Sequence, residues 1–288
     1  MPFWKRKQAV PDEDRTVRPD DSAAAPAGAP APRASVRLLS YRVANLQGVG
    51  SRARQEDSFT FVNAMDVTQM RENGLLAIMA DGMGGMQDGK AASETAIASL
   101  RADFQAMDRS GDIPGQLRES ALRASERVCG LLGGEGGSTL IECLFYREQL
   151  WFACVGDSAL FLLRGGELCT LNRQHNVLHE RYLDSIRARR MDPGYARDDP
   201  EKHALTQFLG MHGMDEVDVL LHPMPLHDGD RFLLCSDGVA DMVPKDLLQQ
   251  CMENESPDAV CASIEQAVLA ANNPYQDNYT ALFVQCSY

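Results

Sequence analysis

The chain has 288 residues, 44% of them hydrophobic and 24% charged, enough for one large domain or two small ones with a sizeable core. Lys and Arg number 28 against 41 Asp and Glu; the net charge of −13 argues against a nucleic-acid or anionic-membrane partner and fits a protein that gathers carboxylates to hold cations. No run approaches the roughly 18 apolar residues of a membrane helix, and no apolar signal core follows Met1–Lys7, so a cytoplasmic protein without a membrane span is expected.

Residues 1–35 are charged at the start and then dominated by Ala and Pro, with seven Ala and three Pro between 22 and 34, and read as a disordered tail. The folded domain is expected over 36–288. Strands are expected at Leu39–Leu46, Phe59–Val62 and Leu75–Ala80, then helices over about 89–107 and 115–132, where Ile97, Leu100 and Phe104 return at helical spacing. Leu140–Tyr146, Gln149–Val155, Leu160–Arg164 and Glu167–Leu171 follow one another with links so short that they read as an antiparallel meander. A helix over Asn176–Met191 and a polar loop over Asp192–His203 precede strands at Val217–His222 and Arg231–Cys235. Helices over Pro244–Met252 and Asp258–Ala271 and a last strand over Tyr279–Cys286 complete the chain. Antiparallel runs with paired helices imply an α+β domain of two sheets packed face to face under helices. The eight cysteines form no Cys-x-x-Cys pair and mostly lie in apolar runs such as Phe152–Val155, so reduced, buried thiols are expected.

Acidic residues recur where apolar runs end. Asp81 follows Leu75–Ala80 and opens Asp81-Gly82-Met83-Gly84-Gly85; Asp157 follows Val155-Gly156; Asp237 follows Leu234-Cys235-Ser236; Glu56-Asp57 and Asp277-Asn278 stand beside two further strands. One Asp-Gly is an ordinary turn signal, but this repetition points to a single site. Two carboxylates about 4 Å apart repel by roughly 4 kcal/mol at an effective dielectric near 20, so such a group cannot stay ionised without cations. Oxygen ligands without His or Cys select Mg²⁺ or Mn²⁺, and two such ions can lower the pKa of a water and aim it at an electrophile. If 52–56 is extended, Arg52 shares a face with Glu56 and offers a guanidinium fork to phosphate oxygens. Together these residues describe phosphate-ester hydrolysis by direct attack of water.

From about Leu38 to its end the chain resembles the metal-dependent serine/threonine protein phosphatases of type 2C (PPM-type), in a bacterial-like form. The motifs occur in family order: Arg52 with Glu56-Asp57, Asp81–Gly85, Gly137-Ser138-Thr139, Val155–Ser158, Leu209-Gly210, Cys235–Gly238 and Asp277–Thr280. The resemblance implies a four-layer αββα sandwich of two antiparallel sheets flanked by helices. It implies two metals bridged by Asp81, with the Gly82 carbonyl, Asp237 and Asp277 as further ligands, and with Glu56 and Asp57 acting directly or through water. Arg52 would hold the phosphate, Asp157 with Asp241 a third, weaker ion, and Asn278 would line the centre. Met83 stands where many members have a His implicated in protonating the leaving alkoxide, which leaves that role to metal-bound water. Ala159, Gln174 and Gln55 depart from common Arg, Asp and Asn. Arg173–His203 corresponds to the flap beside the active site, and its Arg187, Arg189 and Arg190 are candidates for engaging acidic or phosphorylated substrate.

The expected function is Mn²⁺- or Mg²⁺-dependent dephosphorylation of phosphorylated protein substrates by a monomer, opposing a bacterial Ser/Thr kinase. A catalytically weak phosphoprotein-binding module, or an enzyme acting on an anti-anti-sigma-like regulator, are the alternatives.

Overall fold

A computed structural model of the chain describes residues 39–83, 88–189 and 194–288. The tail, Gly84-Gly85, Arg190 and Met191 lie outside the described residues. Leu38–Tyr288 forms one compact unit.

The chain enters through β1 (Ser40–Gly48) and β2 (Ser58–Val62) and makes a short helix, α1 (Val67–Asn73), which the sequence reading does not anticipate. Its signal is local: Asp66 caps it by accepting from the Gln69 N–H at 3.0 Å. β3 (Leu75–Ala80) is buried at every position and leads through β4 (Gly82–Met83) to α2 (Asp88–Ala106) and α3 (Ile113–Leu132). α3 begins at an Asp112 cap and ends where left-handed Gly133 donates its N–H to the Cys129 carbonyl at 2.8 Å. β5 (Gly137–Ser138), β6 (Leu140–Tyr146), β7 (Gln149–Val155), β8 (Ala159–Arg164) and β9 (Glu167–Thr170) follow.

These strands do not form one meander. β6 pairs with β7 and β8 with β9, all antiparallel, but β7 and β8 lie in different sheets. The switch occurs at Gly156, whose φ of 95° turns the chain and where a Cβ would lie 2.7 Å from Thr139 Cγ2. α4 (Val177–Arg187) is shorter than expected, and the expected polar loop contains α5 (Gly194–Arg197). The strand expected over Val217–His222 shrinks to β10 (Asp218–Val219), followed by β11 (Met224–Pro225). β12 (Arg231–Cys235), α6 (Asp237–Ala240), α7 (Lys245–Met252), α8 (Pro257–Ala270) and β13 (Tyr279–Ser287) complete the fold.

One sheet has the order β1-β13-β12-β8-β9, the other β10-β7-β6-β3-β2 with β11 beside β7, and β4 pairs with β5. Leu75, Ala77, Met79, Phe145, Phe232, Leu282 and Val284 fill the space between the sheets. The alternate residues of the same strands meet helices: Leu76, Ile78 and Leu144 pack on α2 and α3, and Leu233 and Phe283 on α7 and α8. The result is the expected αββα sandwich. Glu142 is fully buried with the α2 and α3 core around its neighbours, and no hydrogen-bond partner reaches its carboxyl oxygens. Burial lifts its pKa to about 8, so it sits there as the neutral acid. Among the described residues no helix is long and apolar enough to cross a membrane.

The inter-sheet core turns on Phe145, which meets Phe232 edge-on at 5.3 Å and Tyr41 at 5.5 Å. Phe145→Ala is expected to cost about 3–5 kcal/mol, read as a lower urea midpoint; a loss below about 1 kcal/mol would show that the sheets do not depend on this contact.

Candidate active site

β3 delivers Asp81. The strand is paired on both sides, and where its side-chain burial ends the Asp81 backbone is locked into the next elements. Its N–H donates to Thr139 Oγ1 at 3.1 Å, and its carbonyl accepts from the Thr139 N–H at 2.8 Å and Ser138 Oγ at 2.9 Å. Gly82 has to be glycine: a Cβ there would lie 2.1 Å from the Gly89 carbonyl oxygen and 2.6 Å from that of Glu56.

Asp57 is buried just before β2. Thr280 Oγ1 donates to its Oδ2 at 2.6 Å and Ser236 Oγ at 3.3 Å, while buried Oδ1 has no hydrogen-bond donor. After burial, the charge of Asp57 is the next cause that raises the Asp81 carboxyl. Lys90 does not relieve this charge, because its Nζ donates to the Asp57 carbonyl and to Ser58 Oγ.

β12 ends at Cys235, and after Ser236 Asp237 starts α6. Gly238 packs so closely on β13 that a Cβ would lie 2.0 Å from the Asn278 carbonyl oxygen. Asp241 follows one turn later and returns its N–H to the Asp237 carbonyl at 2.8 Å. Asp157 sits on the turn between the sheets, fixed by His175, whose Nδ1 accepts from the Gly156 N–H at 3.1 Å. Burial pushes every one of these carboxyls upward, and at Asp57, Asp81, Asp157 and Asp237 the charges of neighbouring carboxyls add to it. Asp81 is held well above the usual carboxylate range by burial and then by Asp57 and Asp237. Asp237 is pushed to about 7 by burial, Asp157 and Asp277, and Asp157 to about 6 by burial and Asp241. Asp57 and Asp241 are raised chiefly by burial.

Arg52 reaches the group differently from the expected shared strand face. Residues 52–54 form bends rather than a strand, and Nη2 of Arg52 instead meets Asp277 Oδ2 at 2.5 Å. Asn278 makes this possible. Its side-chain amide donates to the Val49 and Arg54 carbonyls, both at 2.9 Å, and its Oδ1 accepts from the Glu56 N–H at 2.7 Å, tying the 49–56 loop to the start of β13. Asn278 therefore acts as a clamp behind the site. Glu56 turns its carboxylate toward Gly89 in the first turn of α2, where a Cβ would lie 3.0 Å from its Oε2.

The structure thus couples Asp57, Asp81, Asp157, Asp237, Asp241 and Asp277 electrostatically and sets Arg52 against Asp277. Among the described residues, no three acidic, His or Cys side chains are yet closed into a metal cage. The donor set nevertheless fits hard divalent cations: carboxylate oxygens, a buried Asp57 Oδ1 without a donor and, among the described residues, no ion pair to Asp57, Asp81 or Asp237. Ser236, Thr280, Ser138 and Thr139, which fix the carboxylates, carry no ligand signal of their own; their adjacency to the acidic motifs is what could have marked them. His203, also unanticipated, brings Nδ1 to 4.0 Å from Asp241 Oδ2. In the flap segment Arg173 pairs with Glu216 at 2.7 Å, Arg181 with Asp199 at 3.2 Å and Arg187 with Asp184 at 3.4 Å.

Residues 51–267 match the family model for Protein phosphatase 2C. The serine/threonine phosphatase Stp of Listeria monocytogenes is 29% identical over 229 residues, covering 76% of this chain and 87% of that protein. The serine/threonine phosphatase PstP of Mycobacterium tuberculosis superposes with a TM-score of 0.71 at 25% identity, over 87% of this chain and 100% of that one. A PstP catalytic domain in complex with two manganese ions shares the fold, with a TM-score of 0.69 at 24% identity over 87% of this chain and 100% of that one.

Raised carboxyl pKa values have a thermodynamic sign. Asp237 and Asp157 move from 3.8 to about 7 and about 6, so the fold holds their protons more tightly than the unfolded chain does. That stabilisation is complete below about pH 4 and lost as pH rises through 6 and 7. The melting temperature of chelator-treated protein should therefore fall between about pH 5 and pH 8, and Asp237→Asn should flatten the fall; a melting temperature that rises over this interval would contradict the assignment.

Proposed function

The chain belongs to the protein phosphatase 2C family and is a protein-serine/threonine phosphatase, and on that premise we propose that it hydrolyses phosphoserine and phosphothreonine in proteins with the help of two divalent cations. Residues 36–288 form the catalytic domain in this reading. The observation that carries it is the cluster of buried, mutually repelling carboxyls around Asp57, Asp81 and Asp237, held in place by Thr280, Ser236, Thr139 and Ser138.

Asp81, Asp237, Asp277 and the Gly82 carbonyl would hold Mn²⁺ or Mg²⁺, with Glu56 and Asp57 acting directly or through water, and Asp157 with Asp241 would hold a third ion. When bound, such ions supply Lewis acidity toward the phosphoryl group and a water acidified for attack. The protein's own groups do the rest. Thr139 and Ser138 hold the Asp81 backbone still, and Thr280 and Ser236 restrict Asp57 to one rotation, so the carboxylates keep their positions as charge shifts. Arg52, half exposed and already oriented by Asp277, is placed to turn its remaining N–H groups to the phosphoryl oxygens. Met83 has no proton to give, so the leaving seryl or threonyl oxygen is protonated by water. In the flap, Arg187 and Arg189 would read acidic or phosphorylated surface around the target residue.

A phosphoester must be made before it is cleaved, so a Ser/Thr kinase is the partner this reaction requires. We place the enzyme in the cytoplasm as a monomer. The test is phosphate release from phosphoserine, phosphothreonine and phosphotyrosine peptides with and without Mn²⁺. Release from the first two should depend on Mn²⁺ and drop by on the order of a hundredfold or more in Asp81→Asn and Asp237→Asn. Phosphopeptide binding without turnover in the unsubstituted protein would instead establish the regulatory module.

A further inference from the structure

A second cavity, of about 530 Å³, contains none of the carboxylates above and lies between α3 and residues 211–215. In it Cys129 of α3 places Sγ 3.3 Å from Nδ1 of His212. The other ring nitrogen of His212, Nε2, lies 3.2 Å from the Gly133 carbonyl oxygen. A carbonyl can only accept, so Nε2 carries the ring proton and Nδ1 is left to accept from the Cys129 thiol.

The pair is held in register rather than met by chance. Ser125, one turn before Cys129 on the same face of α3, is buried and accepts from the Gly210 N–H at 3.0 Å. Leu209 exchanges both backbone hydrogen bonds with Ser138, at 3.0 and 2.8 Å, anchoring the base of the His212 loop. Gly134, at φ +85°, lies under the ring: a Cβ there would meet Nε2 at 2.5 Å. The charged groups lining the cavity are Arg118 and Glu126 of α3 and Asp215 of the loop, with Arg118 donating to the Asp215 carbonyl at 3.0 Å. A base within reach of a nucleophile and oriented by a third group is the arrangement that activates a thiol.

We propose that Cys129 is a nucleophilic thiol with His212 as its base, a modification site for small electrophiles of the peroxide class. In the step, Cys129 Sγ attacks one oxygen of hydrogen peroxide and the O–O bond breaks. Sulfur is oxidised by two electrons to the sulfenic acid, and the departing hydroxide takes the thiol proton by way of His212 Nδ1 and leaves as water.

Cys169 supplies an internal control, because it is more exposed than Cys129 and makes no imidazole contact among the described residues. The full chain is treated near neutral pH with iodoacetamide, and separately with hydrogen peroxide plus dimedone, and adducts are mapped by mass spectrometry. Cys129 should react about tenfold faster than Cys169 with iodoacetamide and carry the dimedone adduct, because His212 stands in reach to take its proton as it attacks. His212→Gln, with its fold checked by circular dichroism, should bring Cys129 down to the Cys169 rate. The proposal is overturned if Cys129 reacts no faster than Cys169, or if its rate is unchanged in folded His212→Gln. Should that variant not fold, the comparison of the two cysteines in the unsubstituted chain decides by itself.

Discussion

Carboxylates that repel one another are here brought together, Asp57 and Asp81 deeply buried and Asp241 and Asp277 at the surface, and the rest of the structure is arranged to keep them there. Burial first and then the charges of their neighbours raise Asp81 and Asp237, and burial raises Asp57 against the hydrogen bonds that lower it. A fold with no use for such a cluster would replace its members with apolar or neutral residues, since unpaired buried charge is among the costliest features a protein can carry. Among the described residues Arg52 pairs with Asp277 and His203 stands 4.0 Å from Asp241, and no ion pair reaches Asp57, Asp81 or Asp237. Positive charge from outside the chain completes the arrangement.

The sandwich supplies the rigidity. β3, β12 and β13 are paired on both sides, so the carboxylates that follow or precede them inherit positions set by the two sheets. Short polar side chains then fix the final angles: Thr139 and Ser138 at Asp81, Thr280 and Ser236 at Asp57, Asn278 at the loop bearing Arg52. Glycines at 82 and 238 let backbone segments approach where a single methyl group would collide. Stability and chemistry therefore draw on the same contacts.

The sequence makes some of this legible and hides the rest for physical reasons. Leu75–Ala80, Leu140–Tyr146, Gln149–Val155 and Arg231–Cys235 are read to the residue because a strand covered on both faces is a continuous apolar run bounded by polar residues. The acidic residues at their ends are visible for the same reason. The passage from β7 to β8 looks like another hairpin, because sheet membership depends on partners far away in the chain. β4, β5 and α6 are too short to show a period, although they shape the site. Arg52 reaches the carboxylates through an ion pair with a residue 225 positions away, which no local pattern encodes.

The central claim is that protons occupy this cluster until divalent cations displace them, and counting those protons tests it most directly. Calorimetric titration of the cation-free chain with Mn²⁺ near pH 6.5, repeated in two buffers of different ionisation enthalpy, gives the number released per binding event. The account predicts release of about one proton or more per chain near pH 6.5, shrinking toward zero near pH 8.5 as the carboxyls ionise unaided. Binding at pH 6.5 with no proton release would contradict it.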